Sequence, residues 1–384
     1  MHCLFVGYYV NDSIFNQILE RKINNMSVAR QKFEFNLIRG LYEKMGDNIH
    51  FVSYVPTDAS LKIPESSLVA GARVHHIALQ KGNVQSMLAA RKSFEVYLKN
   101  LGEERLHGLR VIMYAVNPIF ESVLLKYRKK YNFKIITICS EVPTLRRYGN
   151  SIPAKVKKHI LTYYNEQFDG YIFFSEEMRN VVNYKGKSNI VLEGIAPDNF
   201  QKPVAGKKNV LMYAGGLAAD NNVAFLLECC LDIPSVDEVW VCGDGPEREK
   251  ILLMAKSDSR IKYFGRMENA EVLKLESQAK ILVNFRSPDA ELTKYSFPSK
   301  ILEYIASGSL VLSTPLIGIP QEYFNYIEKA DISDKNAAIA TVERLLAMPD
   351  EEYIKKVSET QNFIASEKNY KKQCERITEL LKNL

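Results

Sequence analysis

Residues 209–246 read NVLMYAGGLAADNNVAFLLECCLDIPSVDEVWVCGDGP. A run rich in apolar residues, 209–214, stops at the pair Gly215-Gly216, and a helix-length apolar segment follows. A second such run, 237–242, then stops at Gly243-Asp244-Gly245-Pro246. Runs of strand length bounded by glycine, alternating with segments of helical length, point to strand, helix and strand in turn. The pattern continues downstream, with strand expectations at 260–264, 281–285 and 310–314, each followed by an amphipathic segment. Parallel strands need crossover helices, so this alternation predicts an α/β fold with a mostly parallel sheet covered on both faces.

The first half reads the same way. Strands are expected at Cys3 to Val6, His50 to Tyr54, Arg110 to Ala115, Lys134 to Cys139 and Gly170 to Phe174, with helices near 28–45, 84–100, 119–131 and 153–167. Two sheets of this kind make two Rossmann-like, doubly wound domains. The polar stretch Gln201-Lys202-Pro203-Val204-Ala205-Gly206-Lys207-Lys208 is the natural linker. The expected division is therefore a first domain over 1–203, a second over 204–350 and a charged helical tail over 351–384.

Composition narrows the class. The 384 residues are 46% hydrophobic and 25% charged, ordinary for a globular protein and unlike a disordered or collagenous chain. No apolar run approaches the roughly 18–20 residues of a membrane span. The start, MHCLFVGYYVND, has no basic leader, so a cytoplasmic location is expected. Six cysteines without CxxC spacing read as reduced core thiols. The net charge of +6 is uneven, because residues 1–205 are basic and residues 206–384 mildly acidic.

In open parallel sheets ligands bind beyond the carboxyl ends of the strands, which directs attention to three loops of the second half. Gly215 and Gly216 follow a strand directly, where glycine lets a ligand approach the backbone and frees amides for an anion. A tight turn explains a lone glycine pair equally well. Asp244 could meet a base or ribose, although the turn alone accounts for its loop. The strongest signal is Tyr295-Ser296-Phe297-Pro298-Ser299-Lys300-Ile301-Leu302-Glu303-Tyr304-Ile305-Ala306-Ser307-Gly308, after a strand whose loop carries Arg286. Ser296 reads as an N-cap, Pro298 as part of the first turn and Gly308 as the helix terminator. The amides of Ser296, Phe297 and Ser299, with the Lys300 charge, would then hold a diphosphate. Glu303, on the Lys300 face, would take paired ribose hydroxyls. An ordinary exposed Lys–Glu pair is the plainer account of that helix taken alone.

The runs Y-A-G-G-L, C-G-D-G-P, Y-S-F-P-S-K-I-L-E-Y-I-A-S-G and L-V-L-S-T-P-L-I-G-I-P-Q-E-Y stand in that order between Tyr213 and Tyr323. Together they resemble retaining GT-B glycosyltransferases of the family 4 type, over most of residues 207–330. The branch that assembles bacterial polysaccharides is especially similar. The resemblance implies two Rossmann-like domains facing each other across a cleft, with a nucleotide-diphosphate sugar on the second and the acceptor on the first. It also implies that Glu303 binds the ribose and that Gly215 and Gly216 lie against the donor phosphates. Two positions depart from the pattern. Tyr295 stands where the family usually has Glu, and Gly216 and Asn221 stand where many members carry Arg and Lys. Lys300 and Arg286 are positioned to supply those charges.

Lys300 and Glu141 are the candidate catalytic residues, Glu141 as a polar group facing the acceptor. The first half also offers loops at Gly7-Tyr8-Tyr9 and Tyr114 to Pro118, and Asn25 to Gln31 reads as a cap and helix start. No metal-ligand spacing and no Asp-x-Asp occurs, so neither a metal nor a resident cofactor is expected. Basic clusters at Lys126 to Lys130, Arg146-Arg147 and Lys155 to Lys158 read either as solvated helix faces or as contacts to an anionic membrane surface. Nucleic acid is not expected, because no recognition motif accompanies the charge. The expected activity is sugar transfer to a glycan or lipid-linked acceptor in surface polysaccharide synthesis. A nucleotide-sugar epimerase and a non-catalytic scaffold are the alternatives.

Overall fold

The structure, a computed structural model, describes residues 1–24, 26–80, 82–140, 142, 151–183 and 185–384. It forms two compact units. The first comprises Met1–Phe174, Met178–Leu192 and Tyr370–Leu384, and the second Ser175–Glu177 and Glu193–Asn369.

The first unit is built on eight strands: β1 (Cys3–Gly7), β2 (Ile49–Pro56), β3 (Ser66–Val69), β4 (Ala72–Leu79), β5 (Arg110–Tyr114), β6 (Lys134–Cys139), β7 (Gly170–Phe173) and β8 (Ser188–Val191). Their order is β3-β4-β2-β1-β5-β6-β7-β8, parallel throughout except for the β3–β4 pair. Every residue of β1 is buried, as a strand covered by helices on both faces requires. Polar caps begin the helices. Ser27 accepts from the Arg30 amide at the start of Val28–Met45, and Asn83 does the same for Val84–Asn100. Asn117 caps Pro118–Tyr131, whose proline sits in the first turn where its missing N–H costs nothing.

The second unit has six parallel strands: β9 (Val210–Ala214), β10 (Glu238–Cys242), β11 (Ile261–Gly265), β12 (Ile281–Asn284), β13 (Leu310–Ser313) and β14 (Glu328–Lys329). Their order is β11-β10-β9-β12-β13-β14. Side chains of β9 feed cores on both faces of this sheet. Leu211 and Tyr213 pack in one, Val210 and Met212 in the other.

The units part between Leu192 and Glu193, ahead of the Pro/Gly stretch that composition marks as a linker. That stretch is tied into the second unit, where the Gln201 amide donates to the Ala306 carbonyl (2.8 Å) and the Gln201 carbonyl accepts from Gln361 (2.7 Å). The charged tail is shared. Asp350–Glu367 belongs to the second unit, while Tyr370–Lys382 packs on Val28–Met45 in the first. Gly40 permits that packing, since a β-carbon there would stand 2.6 Å from the Cys374 sulfur. All six cysteines are buried and unpaired with one another.

Candidate functional site

The carboxyl end of β9 holds the centre of the site. There the chain passes from Ala214 into Gly215-Gly216, and the loop after β10 lies directly against it. Gly243 adopts φ +136°, and a β-carbon on it would overlap the Gly215 carbonyl oxygen. One on Gly245 would stand 2.7 Å from the Leu217 carbonyl oxygen. Only glycine tolerates such backbone contact. The two loops also exchange hydrogen bonds, Gly215 N–H to the Cys242 carbonyl (2.8 Å) and Leu217 N–H to the Asp244 carbonyl (3.0 Å). The Asp244 side chain is exposed and accepts from the Gly245 amide at 2.9 Å, which is the work of a turn residue.

The helix Lys300–Ala306 is fastened to the same strand end by Tyr304. Its hydroxyl, wholly buried, accepts from the Ala214 amide (3.0 Å) and donates to the Ala214 carbonyl (3.2 Å). One turn earlier, Lys300 reaches back over Gly215, where a β-carbon would lie 2.9 Å from the ammonium nitrogen. That nitrogen is 5.8 Å from the centre of the Tyr213 ring. The Tyr213 hydroxyl donates to the Gly216 carbonyl at 2.8 Å and Asn221 donates to the same oxygen at 2.7 Å. Gly216 is thus held from its carbonyl side, while no atom stands within 4 Å of where its β-carbon would be.

Arg286 completes the group from the end of β12. Its guanidinium is half-buried, and burial pulls its pKa down against the opposing fields of Tyr213 and Asp220. The Arg286 carbonyl is pinned by the Thr314 hydroxyl (2.6 Å), and Asn284 donates to Ser313 at 2.9 Å beneath it. Burial also raises the Tyr213 phenol, which therefore stays neutral. Gly215, Gly216, Lys300 and Arg286 therefore surround Tyr213, a residue that reads in sequence only as part of a strand.

The start of the helix corrects one expectation. Ser296 is not its N-cap: Ser296 to Pro298 lie outside the helix, which begins at Lys300 after Ser299. The residue before a proline is driven away from helical backbone, so Phe297 cannot belong to a helical turn that includes Pro298. Gly318 meets this segment closely enough that a β-carbon would overlap the Ser296 carbonyl oxygen. The Phe297 ring is buried against Tyr323 (5.1 Å between centres), so only its backbone is available to a ligand. Ser299 is exposed, Glu303 is half-buried, and Gly308 ends the helix at φ +78°. Glu141 lies outside the described residues.

At the strand ends of the first unit the structure holds a group that sequence reasoning missed. Glu34, fully buried, accepts from the amides of Tyr8 (2.7 Å) and Tyr9 (3.0 Å), and burial pushes its pKa up to about 7. Gln31 accepts from the Val10 amide at 3.0 Å, and the Arg30 guanidinium lies 4.4 Å from the Tyr8 ring centre. The loop Gly7 to Tyr9 and the helix start at Arg30 were legible in the sequence. A glutamate about two turns into the helix reads as exposed unless the loop above it is known. His76 is buried and meets Ser67 at 2.8 Å, a structural contact. Among the described residues no cluster of His, Cys, Asp or Glu could hold a metal ion.

Two α/β units on parallel sheets, with loops and helix starts gathered at strand carboxyl ends, define the class. The fold is the Rossmann-like pair of GT-B glycosyltransferases. Residues 208–348 match the family described as Glycosyl transferases group 1. That match lies within the second unit, and with it the protein is an enzyme of the glycosyltransferase class. Similar solved structures include a glycosyltransferase from Rickettsia africae, 12% identical with TM-score 0.65 over 100% of this chain and 98% of that one. Sucrose-phosphate synthase from Thermosynechococcus elongatus is 13% identical with TM-score 0.63, over 100% and 99%. HepE of Anabaena in complex with UDP is 11% identical with TM-score 0.63, over 100% of both. A sequence search of curated proteins found no match.

Proposed function

We propose that the protein moves a sugar from a nucleoside diphosphate donor, held on the second unit, to a hydroxyl of a glycan or lipid-linked acceptor. Retention of configuration, a role in surface polysaccharide synthesis and work at the cytoplasmic face of a membrane complete the reading. One observation carries it. The open backbone of Gly215-Gly216, the Lys300 ammonium and the Arg286 guanidinium meet around Tyr213 at the carboxyl ends of β9 and β12. An anionic diphosphate fits two fixed cations beside accessible peptide, and no metal is required to neutralise it. As the bond from the sugar to the diphosphate breaks, negative charge grows on the leaving phosphate, and preorganised cations there favour the transition state over the bound donor. Glu303, one turn beyond Lys300, would accept from ribose hydroxyls. Structures of HepE with UDP and with UDP-glucose support the choice of UDP as first probe.

Calorimetric titration with UDP, GDP and ADP tests the assignment. Wild type should bind one of them. Glu303→Ala should bind it about tenfold or more weakly, the loss of a charge-assisted hydrogen bond, at an unchanged melting temperature. Equal affinity in the variant rejects the ribose role. An isomerised sugar formed from donor alone would put an epimerase in place of the transferase.

A further inference from the structure

We propose that the helix Ile152–Asn165, with the first turns of Val84–Asn100, docks the first unit on an anionic lipid bilayer. The inference rests on the membrane-facing part of the function above and names the surface that would serve it.

A surface helix normally turns its apolar stripe inward, because burying that stripe is what stabilises it. The helix Ile152–Asn165 does the reverse. Ile152, Val156, Ile160 and Tyr163 are 78%, 50%, 43% and 57% exposed. At 3.6 residues per turn these four lie within an arc of about 80°. Ala154, Leu161 and Asn165 occupy the opposite side, and Asn165 is the helix's buried residue. The stripe therefore points directly away from the unit. Lys155 and Lys157 border it on its two sides, His159 is exposed between Lys155 and the stripe, Lys158 lies on the opposite side, and the helix contains no acidic residue. Apolar side chains edged by lysines suit the boundary between acyl chains and anionic headgroups, where the stems lie along apolar surface and the ammonium groups reach phosphate.

A second patch extends the first. Val84 and Leu88 are 67% and 60% exposed on the opening turns of Val84–Asn100, with Met87 exposed between them and Arg91 and Lys92 following. Both helices pack on Pro118–Tyr131, so the three form one layer. Arg91 is near enough to act on Tyr164 of the other helix. Each outer helix lies in the chain between two parallel strands, β4 and β5 or β6 and β7, and so returns from their carboxyl ends toward their amino ends. Their first turns, where the exposed apolar residues begin, therefore lie at the carboxyl ends of the strands, the end at which open sheets bind ligands. Docking through these turns brings that end to the lipid surface, where the hydroxyl of a lipid-linked acceptor would be.

Co-sedimentation of the full chain with phosphatidylcholine vesicles, with and without phosphatidylglycerol, tests this. Binding should need the anionic lipid and weaken with added salt. Each of Lys155→Ala and Lys157→Ala should lower partitioning about fivefold. The double variant Ile152→Ser with Ile160→Ser should lower it further and abolish the blue shift of a Tyr163→Trp reporter, with native Trp240 of the second unit as constant background. Equal binding to neutral vesicles, or wild-type binding by these variants, overturns the proposal. So does a concentration-dependent dimer that the serine variants dissolve, which would make a second copy the occupant. Nucleotide titration of the same variants should match wild type. Vesicle binding without any nucleotide binding would sink the transferase reading and leave this one standing.

Discussion

Replacing Gly216 by alanine separates the ligand site from the architecture that holds it. Gly216 is exposed, its φ is not positive, and nothing lies within 4 Å of the position a β-carbon would take. The substitution therefore meets no steric cost in the protein. By reducing the freedom of the unfolded chain it should raise stability by about 0.4–1 kcal/mol. In a unit of this size that is about 1–4 °C in melting temperature. If a diphosphate lies against this peptide, the same methyl group occupies the ligand's space. Affinity should then fall about tenfold or more, equivalent to about 1.4 kcal/mol. The assay pairs thermal melting with calorimetric titration of whichever of UDP, GDP or ADP wild type binds. Gly243→Ala serves as contrast, because its β-carbon would overlap the Gly215 carbonyl and its φ of +136° disfavours any side chain, so this variant should lose stability. A Gly216→Ala protein that melts normally and binds nucleotide as wild type does would refute the placement of the donor phosphates.

Two further expectations follow from buried groups. Tyr304→Phe removes the hydroxyl that both accepts from and donates to Ala214, leaving a buried amide unsatisfied, and should cost about 1–3 kcal/mol in denaturant unfolding. Burial raises the pKa of Glu34 in the folded protein to about 7, from an ordinary carboxylate value of 4.5. The folded protein therefore keeps a proton that the unfolded chain releases between these values, and stability should be full below pH 4.5 and decline as pH rises to about 7. Glu34→Gln should flatten that part of the pH–stability curve, and an unchanged slope would show that Glu34 does not hold its proton.

Much of the fold was legible because its signals are local. The helices 28–45 and 84–100 have the bounds their sequences predict, since apolar periodicity and the caps Ser27 and Asn83 lie within the elements themselves. The start of Lys300–Ala306 was misplaced at Ser296 because two local rules conflict there. A serine before a proline resembles a cap, yet Pro298 bars Phe297 from helical backbone. The Gly215, Lys300 and Arg286 positions could be marked in the sequence, but not Tyr213, around which they meet.

By itself the sequence determined the alternation of strands and helices, the glycine turns at strand ends and the motif run shared with glycosyltransferases, all encoded by residues near one another in the chain. Tertiary structure alone decided that Tyr304 would bind Ala214, that Glu34 would be buried beneath Tyr8 and Tyr9, and that the apolar stripe of Ile152–Asn165 would face outward. Each depends on burial and on partners 25 or more residues away, or on which side of a helix the rest of the unit covers. Periodicity reveals an apolar face, and only packing shows whether the protein or its surroundings will cover it.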